Sequence, residues 1–292
     1  MSLLHIRHIT TYRYRSPVQP GEHRLMTRPR DSHDLRLLDT ALTIEPAASH
    51  MRWMHDVFGN SIAIVSFESS AQILTFTSDF RAEHYPTPQR EITIEPYAQT
   101  FPFSYSAGDA EDLGRTKERH YPDPEHRVDD WAHGQLQQVE QASTLETLSA
   151  MTRSIKSTFK YQGRESEGVQ TPLETLDRGS GSCRDFALFM MEAARSLGLA
   201  ARFVSGYLYD EGKVESGEKL VGGGATHAWL QIYLPGAGWV EYDPTNALIG
   251  GRNLIRVAVT RDPSQAIPLA GSFKGAPDAF ESMTVKVEIT AD

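Results

Sequence analysis

The spacing of apolar residues changes partway along this 292-residue chain, and that change restricts its fold more than any other feature. The first hundred residues are a series of short, partly alternating runs: "LLHIRHITTYRYR", "LRLLDTALTIEP", "SIAIVSFES", "QILTFTSDF" and "EITIEP", separated by Pro, Gly, Asp and Asn. A period of two puts alternate side chains on one face of a strand, and such a face has to be covered. Several strands of this kind at roughly regular spacing predict an antiparallel, sandwich-like β domain. Residues 101–125, with "FPFSYSAGD" and "HYPDPEH", read as a connection.

The period then becomes helical. Ser143 and Glu146 form a capping-box pattern, and Leu148, Met151, Ile155 and Phe159 follow at helical spacing. Thr171-Pro172-Leu173-Glu174 opens a second, short helix with Pro in its first turn. After "GSGS" and the segment "CRDFALFMMEAARSLGL", strand patterning returns in "ARFVSGYLYD", "THAWLQIYL" and "WVEYD", and the tail adds "LIRVAVT" and "MTVKVEIT". Helices followed by antiparallel strands predict an α+β chain. We expect an N-terminal β domain and linker over 1–125, a core of helices packed on an antiparallel sheet over 126–250, and C-terminal strands over 251–292 that pack back on the core or on the N-terminal domain.

The charge balance, 29 basic against 38 acidic residues for a net of −9, argues against nucleic acid or an anionic membrane surface as partner. A single cysteine cannot form an internal disulfide. The opening "MSLLHIRHITTYRYR" lacks the unbroken apolar run of a signal peptide or membrane span, so the expectation is a soluble cytoplasmic protein. Oligomeric state is not legible.

That cysteine, Cys183, stands where a helix begins. Ser182 suits the N-cap, Asp185 the acidic place of a capping box, and Phe186, Phe189, Met190, Ala193 and Leu197 a buried stripe that ends at Gly198. A thiol at such a position faces free backbone N–H groups and the positive end of the helix dipole, which favour a thiolate. The same N–H groups could hold an oxyanion. Two readings stand at this point: a small buried structural residue, or a nucleophile in need of a base.

Eleven histidines compete for that role. His5 with His8, His50 with His55, and His120, His126 and His133 show no recognised metal-ligand spacing, so no metal is expected. His227 differs: it follows the glycine run "VGGGAT", which permits close backbone approach, and begins the strand "HAWLQIYL". A turn at "PGAG" and a second strand "WVEYDPTN" would bring Asp243 opposite His227 or within two residues of it. An odd-length loop would put both side chains on one face. Glu241 is the competing acid; Asp243 is preferred because Pro and Thr after it would fix its backbone, and "DPTN" also reads as a turn whose Asp accepts from its own backbone.

With these residues in place, "GSCRDFALFMMEAARSLGLAARFVSGYL" and "THAWLQIYLPGAGWVEYDPTNAL" resemble the transglutaminase-like superfamily of papain-type thiol enzymes. "LLHIRHITTYRYRSPV" and "HRLMTRPR" are similar to the β region that precedes this core in bacterial members, and "LIRVAVTRDPSQAIPLAGSF" to the tail that follows it. The tail departs from the family pattern at Leu254 and Thr260, where many members carry His and Gly. The resemblance implies a papain- and transglutaminase-like core with its cysteine on a helix against an antiparallel sheet, and a catalytic triad of Cys183, His227 and Asp243. Tyr161 and Gln170 are candidates for a second oxyanion donor beside the Cys183 N–H. No cofactor is required, and no acidic calcium loop of the EF-hand type is present.

A thioester formed from an amide can go to water or to an amine. The expected activity is hydrolysis of a peptide or amide bond in a peptide or protein substrate. The alternatives are acyl transfer to an amine and a catalytically silent binding or scaffold module. The polar, glycine-rich segment "DEGKVESGEKLVGGG" reads as either a lid over the cleft or an ordinary surface loop.

Overall fold

The computed structural model describes residues 2–136, 143–164, 168–209 and 220–291. Its N-terminal half is organised by one strand, β1 (Ser2–Arg28), around which β2 (Leu35–Glu45), β3 (His50–His55), β4 (Ser61–Ser66) and β5 (Ala71–His84) assemble. The first part of β1 pairs antiparallel with β5 from Ser2↔His84 to Arg13↔Ile73. Its last part pairs with β4 from His23↔Val65 to Arg28↔Ser61. The register breaks between Arg13 and Val18, across the Ser16–Pro17 step, where proline has no N–H for a ladder. β1 thus leaves one layer and enters a second. Tyr14, Val18, Leu25, Val65, Leu74 and Phe76 fill the space between the layers.

β3 ("HMRWMH") was not legible as a strand, because all six residues are exposed and no apolar alternation marks it. Conversely, "EITIEP" forms no strand. It runs between 3-10 turns at Gln89–Glu91 and Pro96–Ala98, and its Ile94 is buried in the helical core. Glu95 N donates to Pro235 O, so the segment is a strap across the core, with prolines bounding it on both sides.

The helical part comprises α1 (Ala107–Leu113), α2 (Arg127–Leu136), α3 (Thr144–Thr158), β6 (Lys160–Tyr161), α4 (Pro172–Arg178), β7 (Ser180–Gly181) and α5 (Cys183–Ser196). α1 falls inside the stretch expected to be a connection; Ser106 caps it by accepting from Asp109 N. α5 is the central element. The residues from Phe186 to Ala194 are buried all round, because α2, α3 and α4 flank the helix and a sheet lies beneath it. That sheet, in the order β11-β10-β9-β8-β12, consists of β8 (Ala201–Leu208), β9 (Thr226–Leu234), β10 (Gly238–Asp243), β11 (Leu248–Ile249) and β12 (Leu254–Thr260).

Two buried charges tie α5 to its surroundings. Glu192 pairs with Arg195 at 2.8 Å and also accepts from the backbone N–H groups of His120 and Tyr121, while Arg195 donates to Ala201 O and Arg261 O. Ions buried this deeply persist only when their remaining hydrogen-bonding capacity is filled, as it is here. β13 (Leu269–Lys274) and β14 (Phe280–Ala291) return to the N-terminal half and pair with β1. Leu4, Ile6, Phe80, Tyr207, Ile255 and Val257 join that half to the outer face of the core sheet. The chain is therefore α+β, with a β-sandwich-like part against a core of helices on an antiparallel sheet. Among the described residues no helix is long and apolar enough to cross a membrane.

Candidate functional site

Cys183 is the first residue of α5, and Ser182 before it is extended (φ −84°, ψ 174°). Asp185 is fully buried and accepts from Ser182 N and Oγ, both at 2.8 Å, from Gln170 N at 2.7 Å and from Arg164 at 2.7 Å. Its charge is thus spent on holding the helix start and on Arg164, and does not stand free against an anion at the neighbouring sulfur. Gly181 admits this arrangement, since a Cβ there would lie 2.8 Å from the Asp185 Cβ.

His227 is carried by β9, opposite Gly206 of β8. A side chain at position 206 would collide with the Ile255 carbonyl oxygen at 2.2 Å, so glycine sets the approach of β8 to β12 beside the histidine. The β9–β10 turn spans three residues, 235–237, and the register runs Gly238↔Leu234 to Tyr242↔Leu230. That odd-length loop leaves His227 and Asp243 on the same face. His227 Nε2 donates to Asp243 Oδ2 at 2.8 Å, with both side chains wholly buried.

Asp243 also accepts from Thr245 N at 2.9 Å and from Asn246 Nδ2 at 2.8 Å. Burial alone would raise its pKa, but the His227 charge and these hydrogen bonds outweigh burial and hold the carboxyl below its usual range. For His227, burial acts to lower the pKa. The charge and hydrogen bond of Asp243, joined by Cys183, overcome it and lift the imidazole to about 10. Nδ1, the ring nitrogen that Asp243 leaves free, is buried with no hydrogen-bond partner among the described residues. The thiol is 9% exposed, at the edge of the core. A buried imidazole–carboxylate pair beside a cysteine at a helix N-terminus has the parts for proton transfer to and from sulfur.

Four further residues shape the site. Trp229 stacks on His227, with ring centroids 5.9 Å apart and planes 26° from parallel. Its indole N–H donates to Glu241, which also accepts from Gln231 at 2.6 Å and Arg256 at 2.8 Å. Glu241, the competing acid, therefore supports the tryptophan rather than the histidine. Asn246 holds Asp243 with its amide N–H and at the same time clamps the Val221 backbone, accepting from its N–H at 2.8 Å and donating to its C=O at 3.1 Å. The next residue, Gly222, has φ +103° and lies so close to the imidazole that a Cβ would come within 2.7 Å of Nδ1. The glycine run was readable as a site of close approach; Asn246 was not, since "PTN" has the composition of any turn.

Tyr161 lies in β6, paired in parallel with Gly181 of β7. Its hydroxyl pKa is raised by burial and then by the charges of Cys183 and Asp243, which puts the ring within electrostatic reach of both. Gln170 gives its backbone N–H to Asp185, and its Oε1 accepts from Thr175. Of the segment considered as a lid, residues 210–219 lie outside the described residues, and Leu220 to Gly224 form the turn over His227. Among the described residues, no group of three or more His, Cys, Asp or Glu side chains could hold a metal ion.

Comparison with known proteins agrees with this architecture. Residues 4–83 match the model of the bacterial transglutaminase-like N-terminal region, and residues 130–244 that of the transglutaminase-like superfamily. An uncharacterized protein of Mycobacterium tuberculosis is 29% identical over 91% of this chain and 86% of its own length. A protein-glutamine gamma-glutamyltransferase of Pseudomonas aeruginosa is 34% identical over 30% of this chain, a stretch that is 13% of that protein. A crystal structure from Cytophaga hutchinsonii, provisionally named a cysteine protease, superposes with a TM-score of 0.73 over 99% of this chain and 90% of its own, at 18% identity. The chain belongs to the transglutaminase-like superfamily, with the bacterial N-terminal region in front of its core.

Proposed function

We propose that this protein is a thiol hydrolase that cleaves a peptide or amide bond with Cys183 as nucleophile, His227 as acid–base and Asp243 as the group that orients and charges the imidazole. The observation that carries this reading is the buried His227–Asp243 pair, which takes Nε2 and leaves Nδ1 for the thiol proton. In the resting site the thiol proton already sits on His227 Nδ1, and in the first half-reaction the thiolate adds to the carbonyl carbon. The C–N bond then breaks, the amine leaves with the proton from Nδ1, and a thioester remains. Water then gives up a proton to Nδ1, adds to the thioester carbon and expels the thiolate, which releases the acid. The Cys183 N–H at the start of α5 is the oxyanion donor we favour, with the Tyr161 hydroxyl as second candidate.

Acyl transfer to an amine is the second reading, supported by the name of the Pseudomonas aeruginosa relative. It differs only in what attacks the thioester. The test is the rate of Cys183 alkylation by iodoacetamide against pH, in the wild type and in His227→Ala. An activated pair alkylates readily at pH 6 in the wild type and loses that reactivity in the variant. A thiol that behaves as a free cysteine in both proteins overturns the reading. Mass spectrometry of peptide products with and without an added amine separates hydrolysis from transfer. A binding module would keep its function in Cys183→Ala.

A further inference from the structure

β3 ends its layer: among the described residues it pairs with β4 alone, and its outer backbone edge is open. Natural sheet edges are usually protected by charge, shortness or cover, and Arg52 in mid-strand answers to the first of these. The other side chains do not. Met51, Trp53 and Met54 are each more than 40% exposed, and Val57, just beyond the strand, is 92% exposed. Large apolar side chains grouped on an open edge mark an interaction surface. Beside them a cleft of about 170 Å³ lies between Met51 and Trp53 of β3 and Thr40 and Leu42 of β2, with Phe80 among its lining residues.

Cations also gather around this edge. In a chain of net charge −9, Arg28, Arg30 and Arg52 make no ion pair with any described residue. The Arg28 guanidinium sits 5.4 Å from the centre of the Trp53 ring, so a cation and an aromatic face meet at the cleft. The edge is joined firmly to the core. Phe58, in the turn after β3, packs on the cluster that contains Leu220 and Trp229, and Asn60 exchanges two hydrogen bonds with the Val259 backbone, at 2.7 and 2.9 Å. Trp229 is the ring stacked on His227.

We propose that the outer edge of β3 docks an extended acidic peptide by strand addition, with an apolar side chain in the Trp53 cleft and carboxylates on Arg28 and Arg52. Strand addition supplies sequence-tolerant backbone hydrogen bonds, and the cleft and arginines supply selectivity. A second copy of this chain fits less well, because β3 against β3 would set the unpaired cations of one copy beside those of the other. The peptide's role as substrate rests on the hydrolase reading; its docking does not.

Docking is therefore measured on Cys183→Ala, by fluorescence anisotropy with a dye-labelled octapeptide of alternating glutamate and valine around a central phenylalanine. Saturable binding is expected. It should weaken by about fivefold or more in Arg52→Glu and in Trp53→Ala, both exposed positions at which folding is not at stake. Replacing the glutamates by lysine, or N-methylating alternate peptide nitrogens, should weaken it at least as much. Equal binding to the Arg52→Glu variant, no binding by the acidic peptide, or a dimer in sedimentation that Arg52→Glu dissolves would each overturn the proposal. Loss of Cys183 reactivity with docking intact would refute the hydrolase reading alone.

Discussion

Replacing Asp243 by Asn removes one charge and changes almost no volume, so its effect can be worked from the contacts. The carboxylate accepts three hydrogen bonds, from His227 Nε2, Thr245 N and Asn246 Nδ2. An asparagine can orient its oxygen toward only some of these donors, and its own amide N–H would face another. Breaking a buried pair by removing one charge costs about 3–5 kcal/mol. For a domain of ordinary size that lowers the thermal midpoint by about 6–20 °C. The loss depends on pH in a defined direction. His227 is raised from 6.5 to about 10, so the stabilisation it carries is complete below 6.5 and lost as pH rises through about 10. Asp243 is lowered from 3.8, so its share is present above 3.8 and lost as acid titrates the folded carboxylate. The gap between wild type and Asp243→Asn should be widest between pH 3.8 and 6.5 and close toward pH 10, read by denaturant titration at several pH values. Without the carboxylate, only Cys183 remains to oppose burial, which disfavours the charged imidazole, so iodoacetamide alkylation at pH 6 should fall by about tenfold or more. A variant equally stable at pH 6 and equally reactive would refute the electrostatic account of this site.

Two other substitutions test neighbouring contacts. Gly222→Ala puts a methyl group 2.7 Å from His227 Nδ1 on a backbone with φ +103°; we expect a loss of about 1–3 kcal/mol in denaturant titration together with slower alkylation at pH 6, and no change in either would mean the turn does not cover the ring. Glu241→Gln should cost about 2 kcal/mol in the same titration while alkylation of the folded protein stays at the wild-type rate, whereas a collapse of alkylation would make Glu241 the functional partner of His227.

Much of the site was legible because it follows from local rules. A capping pattern before an apolar helical stripe placed Cys183 at the start of α5, and the period of two put His227 and Asp243 on one face provided the loop was odd, a condition that the three-residue turn of the structure meets. What escaped depends on contacts between distant segments. Asn246 acquires its part only because Val221 folds over the histidine, and Glu241 was assignable only once Arg256 and Trp229 were seen to meet it. In the fold, β3 escaped because an exposed edge strand has no buried face to pattern, and "EITIEP" misled because its isoleucines pack on the core of helices and sheet without joining a sheet themselves.

The pairing of β1 also has a bearing on synthesis. Its neighbours in one layer are β5 and β14, and the register joins Leu4 to both Ala82 and Ala291. A ribosome adding about 5–20 residues per second delivers the first of these partners within seconds and the second only after most of a minute at the slower rate. Throughout that interval the emerging chain carries an unpaired β1 edge, and the histidine strand β9 is made before the edge is closed. β14 therefore seals β1 long after β5 has paired with it, and until then the open edge is one that a chaperone could shield.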